Sequence, residues 1–187
     1  MTAPVVSVGT MSSRVQPGLS LDELQLRPWE LDDVPVLVAA YNDPAIQRWH
    51  ARSMTEAEAV DQVGAWNAGW ASETAGHWAV TTAGEVVGRM AVRTIDLVEG
   101  LGTIGYWVAP AGRGRGIAPR TLRAVSAWAL RDLGLHRIEL EHSTVNTASC
   151  RVAVKAGYLL ESTKRSSALH TDGWHDMHLH VLLSGDT

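Results

Sequence analysis

The sequence predicts an α/β domain built on one mixed, twisted sheet flanked by helices. Hydrophobic periodicity alternates between strand-like and helix-like segments, in the order β-α-α-β-β-β-α-β-α-β-β from about Leu21 to Leu183. Helix caps and turn residues punctuate those segments. A length of 187 residues suits one domain with a real core. Residues 1–20 are rich in Ser, Val, Thr, Gly and Pro without a period, and read as a flexible N-terminal tail. The domain is expected over 21–187.

Taken in order, Leu24 to Pro28 alternates and stops at proline, as a first strand does. Asp32 or Asp33 caps a helix to about Tyr41, which Asn42-Asp43-Pro44 ends. Thr55 and Glu58 form a capping box for a second helix carrying Val60, Val63 and Trp70. Strands follow over His77–Thr82, Val86–Ile95 and Thr103–Val108. A helix from Pro119 to Leu133 presents Leu122, Val125, Ala129 and Leu133 on one face, with Gly134 as its C-terminal cap. A strand from Arg137 to His142 and a short helix from Thr147 to Ala156 precede a hairpin, Tyr158–His170 and Trp174–Leu183, turning at Asp172-Gly173.

A net charge of -4 argues against broad nucleic-acid binding, which wants a basic face. One cysteine, Cys150, excludes an internal disulfide framework. No apolar run approaches the ~20 residues of a membrane helix. The first residues lack a secretory layout, so cytoplasmic residence is expected. The chain has 8 Trp and no Phe. Most Trp are expected in the core, with some of Trp29, Trp49, Trp66, Trp70 and Trp107 lining a pocket.

The chemistry concentrates in Tyr106-Trp107-Val108-Ala109-Pro110-Ala111-Gly112-Arg113-Gly114-Arg115-Gly116-Ile117-Ala118. A strand enters a glycine-rich loop and a long helix follows at once. Glycines let backbone N–H groups approach an anion. The helix start adds unpaired donors and partial positive charge. Arg113, Arg115 and Arg120 add full charge at the same end. The expected guest is a pyrophosphate. No Gly-Lys-Ser/Thr follows, which excludes a Walker loop, and the G-x-G-x-x-G spacing of a dinucleotide fingerprint is missing.

Arg113-Gly114-Arg115-Gly116-Ile117-Ala118 resembles the Q/R-x-x-G-x-G/A signature of the GNAT acetyltransferases, and Val108-Ala109-Pro110 is similar to its lead-in. Asn146-Thr147-Ala148-Ser149 with Val154-Lys155-Ala156-Gly157-Tyr158 resembles the family's N-x-x-S…K-x-G-F/Y segment. The Asn-x-x-Ser form and the Gly173-Trp174-x-Asp176 hairpin resemble the ribosomal-protein alanine N-acetyltransferase (RimJ/RimL-like) branch. The resemblance implies a sheet splayed between the fourth and fifth strands and acetyl-CoA as acyl donor. It implies that the backbone of Trp107, Val108 and Ala109 pairs with the pantetheine arm like an added strand. Arg113, Gly114, Arg115, Gly116, Ile117 and Ala118 would hold the pyrophosphate, and Asn146 would bond the arm near the thiol. Ser149 would be the general acid for the leaving thiolate, because the family's helix tyrosine is replaced here by Ala153 and Val154; a water is the alternative. Tyr158 reads as a core residue.

The general base is open. Glu141 and His142 are the favoured candidates, with Glu139 and Asp96 behind them, and an α-amino acceptor could use a water relay. A backbone N–H near Val108 would hold the oxyanion. Arg48 and Trp49, in the segment Arg48–Arg52, and Asp176 would touch the acceptor. His170, His175, His178 and His180 read as polar residues on the solvated face of a hairpin, and no metal is expected. Cys150 reads as a small buried filler. A homodimer is expected by family analogy. Three functions compete: acetylation of a protein N-terminal amine, acylation of a small-molecule or amino-acid amine, and non-catalytic acyl-CoA binding. A longer acyl donor such as succinyl-CoA also fits an arginine near the pocket.

Overall fold

The computed structural model describes residues 3–50 and 52–186. The expected elements are present, with two additions. A short strand β1 (Leu19–Leu21) forms a hairpin with β2 (Leu24–Pro28). Helix α1 (Val34–Tyr41) is followed by an unexpected helix α2 (Pro44–His50). Pro44 does not only end α1. It opens α2, with the Asp43 carboxylate accepting the Ile46 amide at 3.0 Å. Arg48 and Trp49 therefore lie on a helix, not a loop; Ala51 lies outside the described residues.

Thr55 caps α3 (Glu56–Ala71) through the expected box: its hydroxyl accepts the Glu58 amide, and Glu58 accepts the Thr55 amide at 2.7 Å. Strands β3 (Gly76–Thr82), β4 (Glu85–Asp96) and β5 (Leu101–Val108) form a meander. Helix α4 (Ile117–Ala127) runs on through a π turn at Trp128–Asp132 to Gly134, which has φ +88°. Leu122, Val125, Ala129 and Leu133 are all buried. Strand β6 (Arg137–Ser143), helix α5 (Thr147–Lys155) and the hairpin β7 (Leu159–His170) and β8 (Gly173–Leu183) complete the chain.

The sheet order is β1-β2-β3-β4-β5-β6-β8-β7, antiparallel except for β5 and β6. These two pair only through Leu101–Arg137, Gly102–Ile138 and Thr103–Glu139 and then part. This is the expected splay, and it leaves one edge of β5 free from Ile104 to Val108. One core packs Leu122, Val125 and Trp128 against Trp78, Val80 and Val92. The other packs α1 and α3 against Trp107 and Ala79.

Residues 5–17 are not a loose tail. Val6 and Met11 are buried in the core. Buried Glu73 accepts the amides of Gly9, Met11 and Ser12, which hold its carboxyl below the usual range. Trp70 and Trp78 donate their indole N–H groups to the carbonyls of Arg14 and Pro17. A buried indole needs an acceptor, and this segment supplies two. Among the described residues no helix is long and apolar enough to cross a membrane.

Candidate active site

Where β5 and β6 part, a cleft of about 890 Å³ opens. Its walls come from α2, β5, the start of α4, β6, α5 and the end of β7. Trp107, Val108, Arg113, Gly114, Gly116, Ile117, Ala118, Asn146, Ser149, Glu141, His142 and Trp49 all line it. Ala109, Arg115, Arg48 and Asp176 do not.

At one end the backbone does the work. Gly114 and Gly116 have φ +76° and +71°, in the left-handed region. A side chain at either would meet no atom within 4 Å, so conformation rather than space asks for glycine. Gly112 differs: a Cβ there would come within 3.0 Å of Val108 and 3.2 Å of Ile117. The turn aims the start of α4 into the cleft, and the amides of Ile117 and Ala118 have no carbonyl one turn back to take them. Charge here departs from expectation. Arg113 is paired with Asp43 at 2.9 Å and also donates to the Val108 carbonyl. Arg120 is held by Asp22 and Glu23. Arg151 and Lys155 on α5 line the cleft as well.

Trp107 turns its ring away from the cleft, into a cluster with Trp29 at 6.1 Å and Tyr41 at 6.4 Å. Alternation then turns Tyr106 the other way, toward the first core. The amide of Ala109 donates to Val87, on the β4 side. Asn146 caps α5, accepting the Ser149 amide at 3.1 Å.

Ser149 is buried, and its hydroxyl lies 2.9 Å from that of Tyr106. Burial pushes the Tyr106 phenol up to about 12, so it stays protonated at neutral pH. The sequence pattern does not single out Tyr106; its signal is the alternation that sends it opposite Trp107. His50, Arg93 and His170 also line this end. Arg93 bulges from β4 between Val92 and Thr94 and lies over Gly105, where a Cβ would sit 2.3 Å from its side chain. Burial and nearby Arg89 push His50 down to about 4, leaving it neutral.

The expected acid–base and acceptor residues fare unevenly. Glu141 lines the cleft but is ion-paired with Lys164. Glu139 is held by Arg137, and Asp96 caps the turn at Val98 and Glu99. His142 is buried, with Nδ1 2.8 Å from the Ser143 carbonyl oxygen. Arg48 lies outside the cleft, its guanidinium 4.9 Å above the Trp49 ring. Asp176 is exposed and accepts the Ser166 amide at 2.8 Å, bracing a residue with φ +44°. Of the five tryptophans proposed for a pocket, Trp49 and Trp107 border the cleft, and only Trp49 does so beside the histidine of its mouth, His170, at 6.0 Å. Trp29 and Trp66 pack together, as do Trp70 and Trp128. Tyr158 is core, bonded to Ser126 at 2.7 Å. The hairpin histidines do not share a solvated face: His180 is fully buried.

The acetyltransferase (GNAT) domain family matches residues 23–159. The Bacillus subtilis (strain 168) protein named Probable N-acetyltransferase YjcK is 35% identical over 83 residues, 44% of this chain and 46% of its own. The chain thus spans just under half the length of that curated relative. RimL, a ribosomal L7/L12 alpha-N-protein acetyltransferase solved with coenzyme A, superposes with a TM-score of 0.83 at 20% identity, over 89% of this chain and 98% of its own. The microcin C7 self immunity acetyltransferase MccE, solved with acetyl-CoA and AMP, gives 0.79 at 19%, over 87% and 93%. At such identities these two likenesses speak for the fold. The family match spans more than half of the chain, and the chain belongs to the GNAT acetyltransferase family.

Proposed function

We propose that the protein transfers an acetyl group from acetyl-CoA to a primary amine by direct attack in a ternary complex. The observation that carries this reading is one cleft with a glycine-built helix start at one end and the Tyr106–Ser149 hydroxyl pair at the other. The free edge of β5 suits an extended pantetheine arm, bonded as an added strand. The amides at the start of α4 suit its pyrophosphate, with Arg151 and Lys155 as added charge. Asn146 keeps its side-chain N–H donors for the arm, because capping uses its oxygen.

The amine nitrogen attacks the thioester carbonyl carbon, and the C–S bond breaks as the amide forms. The sulfur then needs a proton, and the nitrogen must lose one. A phenol near 12 is too weak an acid to protonate a thiolate outright. The paired hydroxyls instead donate a hydrogen bond to the developing thiolate and pass on the proton that the nitrogen sheds. An α-amine, with a pKa near 8, is partly neutral already, so a water relay serves as base and Glu141 keeps its ion pair.

A protein N-terminal α-amine is the first reading of the acceptor, in line with RimL, a ribosomal L7/L12 alpha-N-protein acetyltransferase. Arg93 and Trp49 in the cleft wall favour a second: a small amine that carries a carboxylate and apolar bulk. The setting is a cytoplasmic homodimer, for which exposed Leu159, Leu160 and Trp174 on the hairpin supply apolar surface. An acceptor panel of N-terminal peptides and amino acids, followed by release of free coenzyme A thiol, tests the reading. Tight acetyl-CoA binding without turnover on any amine would make the protein a binding module instead.

A further inference from the structure

Three imidazoles and the chain's single thiol meet beneath α5. One ligand atom from each of His142, His178, His180 and Cys150 lies within 4.8 Å of all the others. The sheet register builds this: His142 pairs with His178 and Leu140 with His180, which puts both β8 histidines on the face that His142 presents. Cys150 descends onto them from the first turn of α5.

The nitrogens are left over from all other bonding. Nδ1 of His142 faces a carbonyl oxygen, which only accepts, so Nδ1 carries the proton and Nε2 keeps a bare lone pair. That Nε2 is buried without a partner. So are Nδ1 of His178 and both nitrogens of His180, a residue with 0% exposure. The rings do not satisfy each other: His142 and His180 stack at 5.1 Å and 26°. Buried nitrogens left without a partner are destabilising, because they have lost water and gained nothing in return. Concentrating them at one point makes sense if one cation takes their lone pairs.

We propose that His142, His178, His180 and Cys150 form a structural site for Zn²⁺. Three neutral nitrogens and a thiolate are the borderline-soft set this ion prefers. Tetrahedral bonds of about 2.0–2.1 Å to nitrogen and 2.3 Å to sulfur set the ligand atoms roughly 3.3–3.6 Å apart. Side-chain torsions close the present spacing to that range. Four protein ligands leave no open position, so the ion fastens α5 to β6 and β8 and thereby positions Asn146 and Ser149. The Ser143 carbonyl is the outer partner that orients His142. His142 is then a ligand and not a base, and two of the histidines read from sequence as solvated polarity, His178 and His180, have a shared task.

The test uses the full chain, stripped with a chelator and titrated with Zn²⁺ or Co²⁺; its readouts do not involve acetyl-CoA. Expected results are one bound ion per chain, the visible bands of tetrahedral Co²⁺ with a thiolate charge-transfer band, and Zn²⁺ protection of Cys150 from a disulfide reagent. Cys150→Ala, at a half-buried position, should abolish the charge-transfer band and weaken binding at least tenfold. His175→Ala, outside the cluster, should bind as the parent does. An unprotected thiol with no tetrahedral spectrum overturns the proposal, as does undiminished affinity in Cys150→Ala or loss of binding in His175→Ala.

Discussion

The two ends of the cleft are made of different material. The end at α4 is backbone: two left-handed glycines and the amides of one helix start, all within a few residues of each other. The far end is side chains: Tyr106 from β5, Ser149 from α5, His50 from α2, Arg93 from β4 and His170 from β7. A backbone site is set by local dihedrals and tolerates most changes around it. A converging side-chain site depends on every element that supplies it, and its chemistry resides in single atoms. The first suits a donor common to a family, the second an acceptor that differs among members.

This contrast can be broken at several points. The largest effect is expected at the hydroxyl pair. Ser149→Ala should lower kcat roughly a hundredfold with little change in donor affinity. Tyr106→Phe should cost nearly as much, and the double variant little more than either single one, because the two act as a unit. Additive losses in a steady-state double-mutant cycle would separate them. At the other end, Gly116→Asp should weaken acetyl-CoA binding about tenfold or more while leaving the fold intact, since Asp tolerates the left-handed region yet repels a phosphate. Titration calorimetry reads this directly, and wild-type affinity would remove the α4 start from the donor site.

Acid should loosen the α2 and β3 side of the molecule. His50 is held down to about 4 and His77, stacked on Trp66 and accepting from Arg89, to about 2. Both are neutral when folded and take a proton near pH 6.5 when unfolded. The unfolded chain therefore binds more protons below 6.5, and stability falls as pH drops toward 4, by up to about 1.4 kcal/mol per pH unit for each histidine. Thermal melts at pH 7.5 and 5.5 should differ accordingly, and His77→Phe should flatten the slope. The smallest effect is expected from Glu141→Gln. It removes an exposed ion pair with Lys164 and should change turnover less than about twofold. A hundredfold loss would restore Glu141 as general base.

Much of the architecture was legible because its signals are local. The box at Thr55 and Glu58, the apolar face of α4 and the cap at Gly134 each follow from residues a turn or two apart. The phosphate-binding turn was legible for the same reason. The packed residues of this first stretch were not, since Val6 and Met11 bury themselves singly in an aperiodic segment, and the partners of Gly9, Met11, Arg14 and Pro17 lie some sixty positions away at Glu73, Trp70 and Trp78. The charged residues misled most. Arg113 and Arg120 have the right position for a phosphate, yet Asp43 and the Asp22-Glu23 turn claim them.

Sequence by itself determined the order of elements apart from β1 and α2, the family's two motifs and the glycine turn that opens α4, because caps, periods and left-handed glycines act over a few residues. Only the tertiary structure decided which hydroxyl meets Ser149, which arginine enters the cleft and which histidines gather under α5. Those outcomes rest on strand register and on the parting of β5 from β6, and register is a relation between segments far apart in the chain.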